Sequence, residues 1–417
     1  MISSYKRLEP YIQEIVCKNS DLKVNLLLGV SVTKEFIPSI ANTVGTDMSK
    51  YKIVSKDQFA YGPVTSRNSD KISVALLTED ECICSTSYTV FEIKDHEALL
   101  PEYLMMWFRR PEFDRYARYM SHGSVRELFG WEELCNIELP IPSPEKQREI
   151  INEYNTIVDR IKLNENLNQK LEETAQAIYK QWFVDFEFPI SAEYAKSIGK
   201  PELEGKPYKS SGGRMSYDEA NDSELPKDWN HSDIGRYTTE MKSGGTPNRS
   251  VQDYWNKAEY PWLKTGEVAN CVIINSEEYI SQDGLDNSSA KLLPANTVLI
   301  AMYGDGKTKG QVGYLKFSSC TNQACCAMIC EDEVYSSYLY YYLRSCRDTI
   351  VQHANGGAQE NLSKDLISNL PILRPHISIL QQHPFLKLLS YSEATVRSSE
   401  SLYALKNIVL AKMSRVS

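Results

Sequence analysis

The chain has 417 residues, enough for two or three domains with cores of their own. A net charge of −9 excludes loose, charge-driven attachment to nucleic acid, though not binding through local basic loops. No apolar run approaches the ~20 residues of a membrane span. The opening MISSYKRLEP has no apolar signal segment, so a cytoplasmic location is expected.

Residues 1–142 read as a first block. Apolar, β-rich runs at 24–32, 53–59, 72–77 and 88–93 are followed by a helical stretch at 101–119 with Pro at its start. Polar loops lie at 61–71 (YGPVTSRNSDK) and 121–128 (SHGSVREL), and NIELPIPSP closes the block because its prolines end both sheet and helix. Residues 143–189 form a long helix. Ile150, Tyr154, Ile157, Ile161, Leu171, Ala175, Ile178 and Trp182 follow a 4,3 heptad spacing, with Asn164 and Asn168 at the two remaining steps. About 40 residues at ~1.5 Å rise make a rod of roughly 60 Å, too long for the interior of one small domain. Residues 190–224 are rich in Gly, Pro, Ser and Lys without an apolar period and read as a linker.

A second block spans 225–375. It holds a Gly/Pro loop (MKSGGTPNRS, 241–250), strand-like runs at 260–268, 296–315 and 320–329, a tyrosine-rich helix and a polar loop, NGGAQENLSKDL. Residues 376–417 form a second helix with Leu388, Tyr391, Leu402, Leu405 and Val409 on one seam and Thr395 and Ser398 in its middle.

The halves repeat. Tyr61-Gly62 matches Tyr303-Gly304, CSTSYTVFEI (84–93) matches CTNQACCAMI (320–329), and EYLMMWFRR (102–110) matches SYLYYYLRS (337–345). HGSVREL matches NGGAQEN, and NIELPIP matches NLPILRP. Five matches in one order, offset by about 235 residues, mark an internal duplication. If the two helices pair antiparallel, the Asn164/Asn168 and Thr395/Ser398 layers meet and fix their register.

Each block offers polar loops able to grip phosphates and base edges. The candidates are Thr65, Ser66, Arg67, Asn68, Lys71, Ser124 and Arg126 in the first, and Ser243, Gly244, Gly245, Thr246, Asn248, Arg249, Lys264, Thr265, Tyr303, Lys307, Lys309 and Gln359 in the second. His122 and His353 hold matching places before the glycine loops and read as loop or phosphate contacts. The ten cysteines are scattered without a CxxC pair; the clusters Cys82/Cys84 and Cys320/Cys325/Cys326/Cys330 sit in strand-like runs with no histidine at zinc-ligand spacing, which reads as buried thiols and not as a metal site. Gly304–Thr308 (GDGKT) ends like a phosphate loop, but Ala301 stands where that pattern needs glycine. No dinucleotide glycine fingerprint is present.

LEETAQAIYKQWFVDFEFP (171–189), KSGGTPNRS…YWN…PWLKTGEV (242–268), GGAQENLS (356–363) and the repeated block–helix layout resemble the specificity (S) subunit of Type I restriction-modification enzymes over nearly the whole chain. The first block has no SGGTP copy; NLLLGVSVTKEF (25–36) stands in its place. The resemblance implies an α+β chain: two β-rich target recognition domains, 1–142 and 225–375, separated by a long antiparallel two-helix coiled coil with pseudo-twofold repeat. Each domain would read half of a bipartite site in double-stranded DNA, and the helices would set the unread spacer. It implies two methyltransferase (M) subunits that methylate adenine N6 and restriction/translocase (R) subunits that cleave unmodified DNA. S-adenosylmethionine, ATP and Mg2+ would then sit on those partners, and this chain would be non-catalytic and carry no cofactor or metal. Tyr179, Trp182 and Phe183 are the implied methyltransferase contacts. A coiled-coil scaffold without DNA binding is the rival; it explains the helices but not the matched heads.

Overall fold

A computed structural model of the chain describes residues 5–39, 45–66, 71–122, 127–219, 222–304, 307–355 and 361–415. The chain divides into two compact units. Met1–Lys162 with Glu400–Ser417 forms the first, and Leu163–Ser399 the second.

The first unit is built on an antiparallel sheet in the order Ile12–Ile15, Thr89–Ile93, Phe59–Tyr61, Val74–Leu76. One face carries Phe59, Phe91 and Ile93 against the helix Pro101–Phe108. The Phe59 and Phe91 rings stack at 4.7 Å. The other face packs Ala60, Ala75 and Val90 on Val54, Cys82 and Cys84. Tyr5–Arg7 pairs with Glu138–Pro140 and closes the unit end to end. The first strand escapes the sequence reading because Gln13 and Glu14 in its middle are exposed and leave too short an apolar run to notice.

The second unit repeats this plan. Its sheet runs Glu240–Ser243, Cys325–Ile329, Val298–Ala301, Val312–Leu315, with Cys271–Ile273 added in parallel at the far edge. The helix Glu333–Ser345, capped by Asp332 on the backbone N–H of Val334 and Tyr335, covers one face. Asn230–Asp233 pairs with Pro371–Arg374, as Tyr5–Arg7 pairs with Glu138–Pro140. Tyr338 is fully buried, and its hydroxyl donates to the Leu373 carbonyl at 3.0 Å.

Pleat parity corrects one detail of the repeat. Matching 84–93 to 320–329 residue for residue places Phe91 opposite Ala327, yet these face opposite sides of their sheets. Phe91 and Ile93 face the helix in the first unit; Cys326 and Met328 do so in the second. The true offset through strand and helix is one residue smaller, so the preceding turn is one residue shorter in the second unit. A one-residue slip turns every strand side chain over, and only the burial pattern detects it.

The first long helix runs Pro144–Tyr179 and ends in a π turn, Lys180–Val184. Ile150, Tyr154, Ile157 and Ile161 are buried in the first unit's core with Val409, Leu410 and Met413. In the second unit the Asn164 amide donates to the hydroxyls of Ser398 and Ser399 at 3.1 and 3.2 Å, and the Thr395 hydroxyl donates to Asn168. The polar layers meet, and the pairing is antiparallel. The second helix is interrupted. Ile377–Gln382 stops at His383, which Pro384 drives into extended backbone, and Phe385–Lys412 follows. Its buried positions also differ from the expected seam. Val409 is buried as the seam requires, but Tyr391 and Leu405 are exposed and Leu389, Leu410 and Met413 are buried instead, because this helix sinks into a head core in each unit as well as against its partner helix.

Residues 190–219 and 222–224 carry short ordered pieces instead of an open tether: the helix Ala192–Ser197, a turn at Pro201–Leu203, and the hairpin Met215–Asp218/Ser223–Pro226. They have no sequence period because single residues anchor them. Tyr208 stacks on Phe188 at 4.5 Å, and Phe188 on Trp229 at 5.0 Å.

Candidate nucleic-acid interface

Register places the predicted loops together. In the second unit Ser243 pairs with Cys326, and Ala301 with Cys325, so the loops after 243, before 325 and after 301 leave the same end of the sheet. The Met302 N–H donates to the Ala324 carbonyl at 2.8 Å, and Leu362 N–H donates to Met302 at 3.1 Å. The first unit does the same. Ile15 pairs with Val90 and Tyr61 with Thr89, and Phe129 N–H donates to the Pro63 carbonyl at 2.8 Å. The nominated loops of each head therefore converge at one sheet end, a property no single loop shows in sequence.

The second head's surface is the better braced. Gly244 and Gly245 pass so close to neighbouring backbone that side chains do not fit. A Cβ on Gly244 would lie 2.1 Å from the Asn322 carbonyl oxygen, and one on Gly245 2.4 Å from the Ala290 nitrogen. Gly245 N–H donates to Thr321 at 2.8 Å, and its carbonyl accepts from the Trp262 indole at 2.9 Å. Thr246 then donates to the exposed Gln323 amide at 2.6 Å, and Thr265 to Asn322 at 2.9 Å. Asn248 closes a turn by accepting from the Ser250 N–H and hydroxyl. Arg249 lies with its guanidinium carbon 3.7 Å from the Trp255 ring centre and pairs with Glu278. Lys264 pairs with the same carboxylate at 2.5 Å. Burial by itself would raise the Glu278 carboxyl; hydrogen bonds from Lys264 and Arg249 outweigh it and hold it below the ordinary value. Ser243, Tyr303 and Lys307 are exposed and Lys309 half-buried; Arg347 anchors that loop through the carbonyls of Lys307 and Lys309 at 2.8 and 3.0 Å. Gln359 and the His353 side chain lie outside the described residues.

In the first head, Ser66 and Lys71 are exposed, but Thr65 is buried, its hydroxyl donating to Ser121 at 2.9 Å. Thr65 ties the two loops together and does not face outward. Arg67, Asn68, Ser124 and Arg126 lie outside the described residues. The position after the counterpart strand is Val16–Asp21, not 25–36; the latter holds a separate hairpin, Leu28–Val30/Phe36–Pro38. Of the three nominated methyltransferase contacts, Tyr179 and Phe183 lie in the second unit's core, Phe183 meeting Tyr338 at 4.8 Å, and Trp182 keeps part of its surface exposed.

The sequence reading missed Asn322, Gln323, Trp255 and Glu278. Trp255 could have been found from the YWN run beside the Gly-Gly loop. Glu278 could not, because only the pairing of Trp262 with Glu278 brings it there. Among the described residues no three His, Cys, Asp or Glu side chains cluster as metal ligands. Burial pushes the Cys82, Cys84, Cys325, Cys326 and Cys330 thiols up to about 12, the behaviour of inert core residues.

A family profile described as the Type I restriction modification DNA specificity domain matches residues 34–173 and again 226–404. The chain belongs to this family. The two matches fall one on each head, each running into a long helix, so the specificity-domain duplication and the structural repeat coincide. Among its relatives are the Type I restriction enzyme MjaIX specificity subunit of Methanocaldococcus jannaschii, 24% identical over 75% of this chain and 67% of that protein. The HindI specificity subunit of Haemophilus influenzae is 25% identical over 80% and 81%. The crystal structure of a Type I restriction-modification S subunit from M. genitalium shares the fold, with a TM-score of 0.55 at 12% identity over 98% of this chain and 95% of that one.

Proposed function

We infer that this chain is the non-catalytic DNA-specificity subunit of a Type I restriction-modification complex, each head reading one half of a bipartite site. The observation that carries this is the convergence of three loops at one sheet end in both copies of a duplicated specificity domain. Loop ends of a rigid sheet can vary in chemistry without disturbing the core, which suits a reader that must differ between its halves. The paired helices set the spacer between half-sites and, with Trp182 at their surface, recruit two methyltransferase subunits that modify adenine N6. Restriction subunits join that assembly to cleave unmodified DNA. S-adenosylmethionine, ATP and Mg2+ belong to those partners. Among the described residues no helix is long and apolar enough to cross a membrane.

Expressing the chain with its methyltransferase and mapping N6-methyladenine across the host genome tests the reading. A split motif with a constant gap is expected. Inserting four residues into the first long helix, about 6 Å of rise, should change the gap and leave both half-sites as they were. Methylation without sequence preference, or none, would return the coiled-coil scaffold reading.

A further inference from the structure

Two cations of the second head meet on one carboxylate. Glu278 reaches them through the pairing of its strand with Trp262. One carboxylate oxygen takes Lys264 Nζ at 2.5 Å, and the other takes Arg249 Nη1. Arg249 is further held over the Trp255 ring, with Trp262 4.8 Å away, and the Trp255 indole donates to the Asn248 carbonyl at 3.3 Å, so the ring is itself fixed. Both cationic side chains nevertheless stay about half exposed, 49% for Arg249 and 42% for Lys264. Among the described residues, no other acceptor meets the remaining guanidinium edge of Arg249.

Resting on the reading of this head as a DNA reader, we propose that Arg249 and Lys264 form a backbone-phosphate clamp. In the free chain the clamp closes on its own Glu278, and a DNA phosphate takes that carboxylate's place. A guanine edge needs a single fork. Two cations converging on adjacent oxygens of one anion are instead what the two non-bridging oxygens of a phosphodiester require. Lys264 also reaches the exposed Glu277 at 3.5 Å, and that carboxylate stays in place; exchanging Glu278 for a diester is itself charge-neutral, since each carries one negative charge. Glu278 therefore lowers affinity for every sequence alike and keeps a cationic surface from holding DNA before the rest of the head is engaged. It also accounts for how a chain of net charge −9 can keep a phosphate-binding surface neutralised until needed.

The test uses the full chain with its methyltransferase partner, titrated against duplexes with and without the mapped site at several salt concentrations. Glu278→Gln is expected to tighten binding to both duplexes by roughly 3- to 10-fold. The slope of log K against log salt should change little, because the same phosphate is engaged with or without the carboxylate. Arg249→Ala with Lys264→Ala should weaken both duplexes alike and flatten the slope, and adding Glu278→Gln to that pair should gain nothing. The methylated sequence stays the same throughout. Glu278→Asp, too short to bridge both cations, should fall between wild type and Glu278→Gln; it decides the matter if Glu278→Gln melts early. Weaker binding by a well-folded Glu278→Gln, or a changed base at one position of the methylated motif, overturns the clamp. Absence of any sequence discrimination by the wild-type complex overturns the DNA-reader assignment instead, whereas failure of the clamp leaves discrimination intact.

Discussion

The two heads share a sheet and differ in how they finish it. Both hang three loops from one end of four antiparallel strands, and both carry a separate pair of short strands, Tyr5–Arg7/Glu138–Pro140 and Asn230–Asp233/Pro371–Arg374. In the second head the first of these loops is pinned by Gly244 and Gly245 lying against neighbouring backbone, by the Thr246–Gln323 and Thr265–Asn322 hydrogen bonds, and by Arg249 on Trp255. In the first head the same exit carries Val16, 63% exposed, and the loop is held mainly by the fully buried Asn19, whose amide bonds to both N–H and C=O of Val24. The heads share the scaffold and differ in how this first rim loop is held. Core packing ties sheet and helix together through many residues at once, whereas a loop rim can change one contact at a time.

Four variants sharpen this contrast. Gly245→Ala drives a Cβ into the Ser289–Ala290 backbone and should cost about 3 kcal/mol in denaturant unfolding of the second unit. A near-neutral result would mean that the close approach does not brace this rim. Next comes an asymmetry in pH response. Each long helix begins beside a buried polar side chain. In the first head it is Gln147, neutral and bonded to Leu100, Ala98 and Pro142. In the second it is His383, whose burial pushes its imidazole down to about 4. The unfolded ring takes up a proton near ~6.5 and the folded ring resists until about 4, so between these values the unfolded chain binds more protons. The second unit should therefore lose up to about 3 kcal/mol as pH falls through that window, and the first should not. Hydrogen exchange at pH 7 and pH 4.5 reads this unit by unit; equal loss of protection in both would refute it. His383→Gln should abolish the difference.

Smaller still is the polar layer. Replacing Asn164 and Asn168 together by Leu should raise the second unit's stability by about 1 kcal/mol while loosening helix register, visible as line broadening or altered spacing of the methylated motif. A fall in stability would show that the Asn–Ser and Asn–Thr bonds outweigh apolar burial. Smallest is Val16→Ala, expected within about 0.5 kcal/mol because the side chain is exposed; this is the control for Gly245→Ala.

The duplication, both long helices and their polar centres were legible as pattern, because heptads and repeated blocks are local in sequence. The strand Ile12–Ile15 was not, since its polar middle faces water on a sheet edge and leaves no apolar run. Nor was the structure of residues 190–224, held by the isolated rings Tyr208, Phe188 and Trp229. At the rim, Arg249 and Lys264 were legible as cations near a glycine loop. That they share Glu278 was not, because the carboxylate lies on a strand whose partner is set only by folding. Thr65 shows the reverse: its residue type suits a DNA contact, but tertiary packing spends its hydroxyl on Ser121.

Composition, heptad spacing and the internal repeat by themselves determined a two-headed chain with paired helices, because each of these signals is carried by residues near one another in sequence. Tertiary structure alone decided the one-residue shift of the repeat, which face of the second helix is buried, and which rim side chains point outward. Those depend on pleat parity and on contacts between segments far apart in the chain, and no local pattern encodes them.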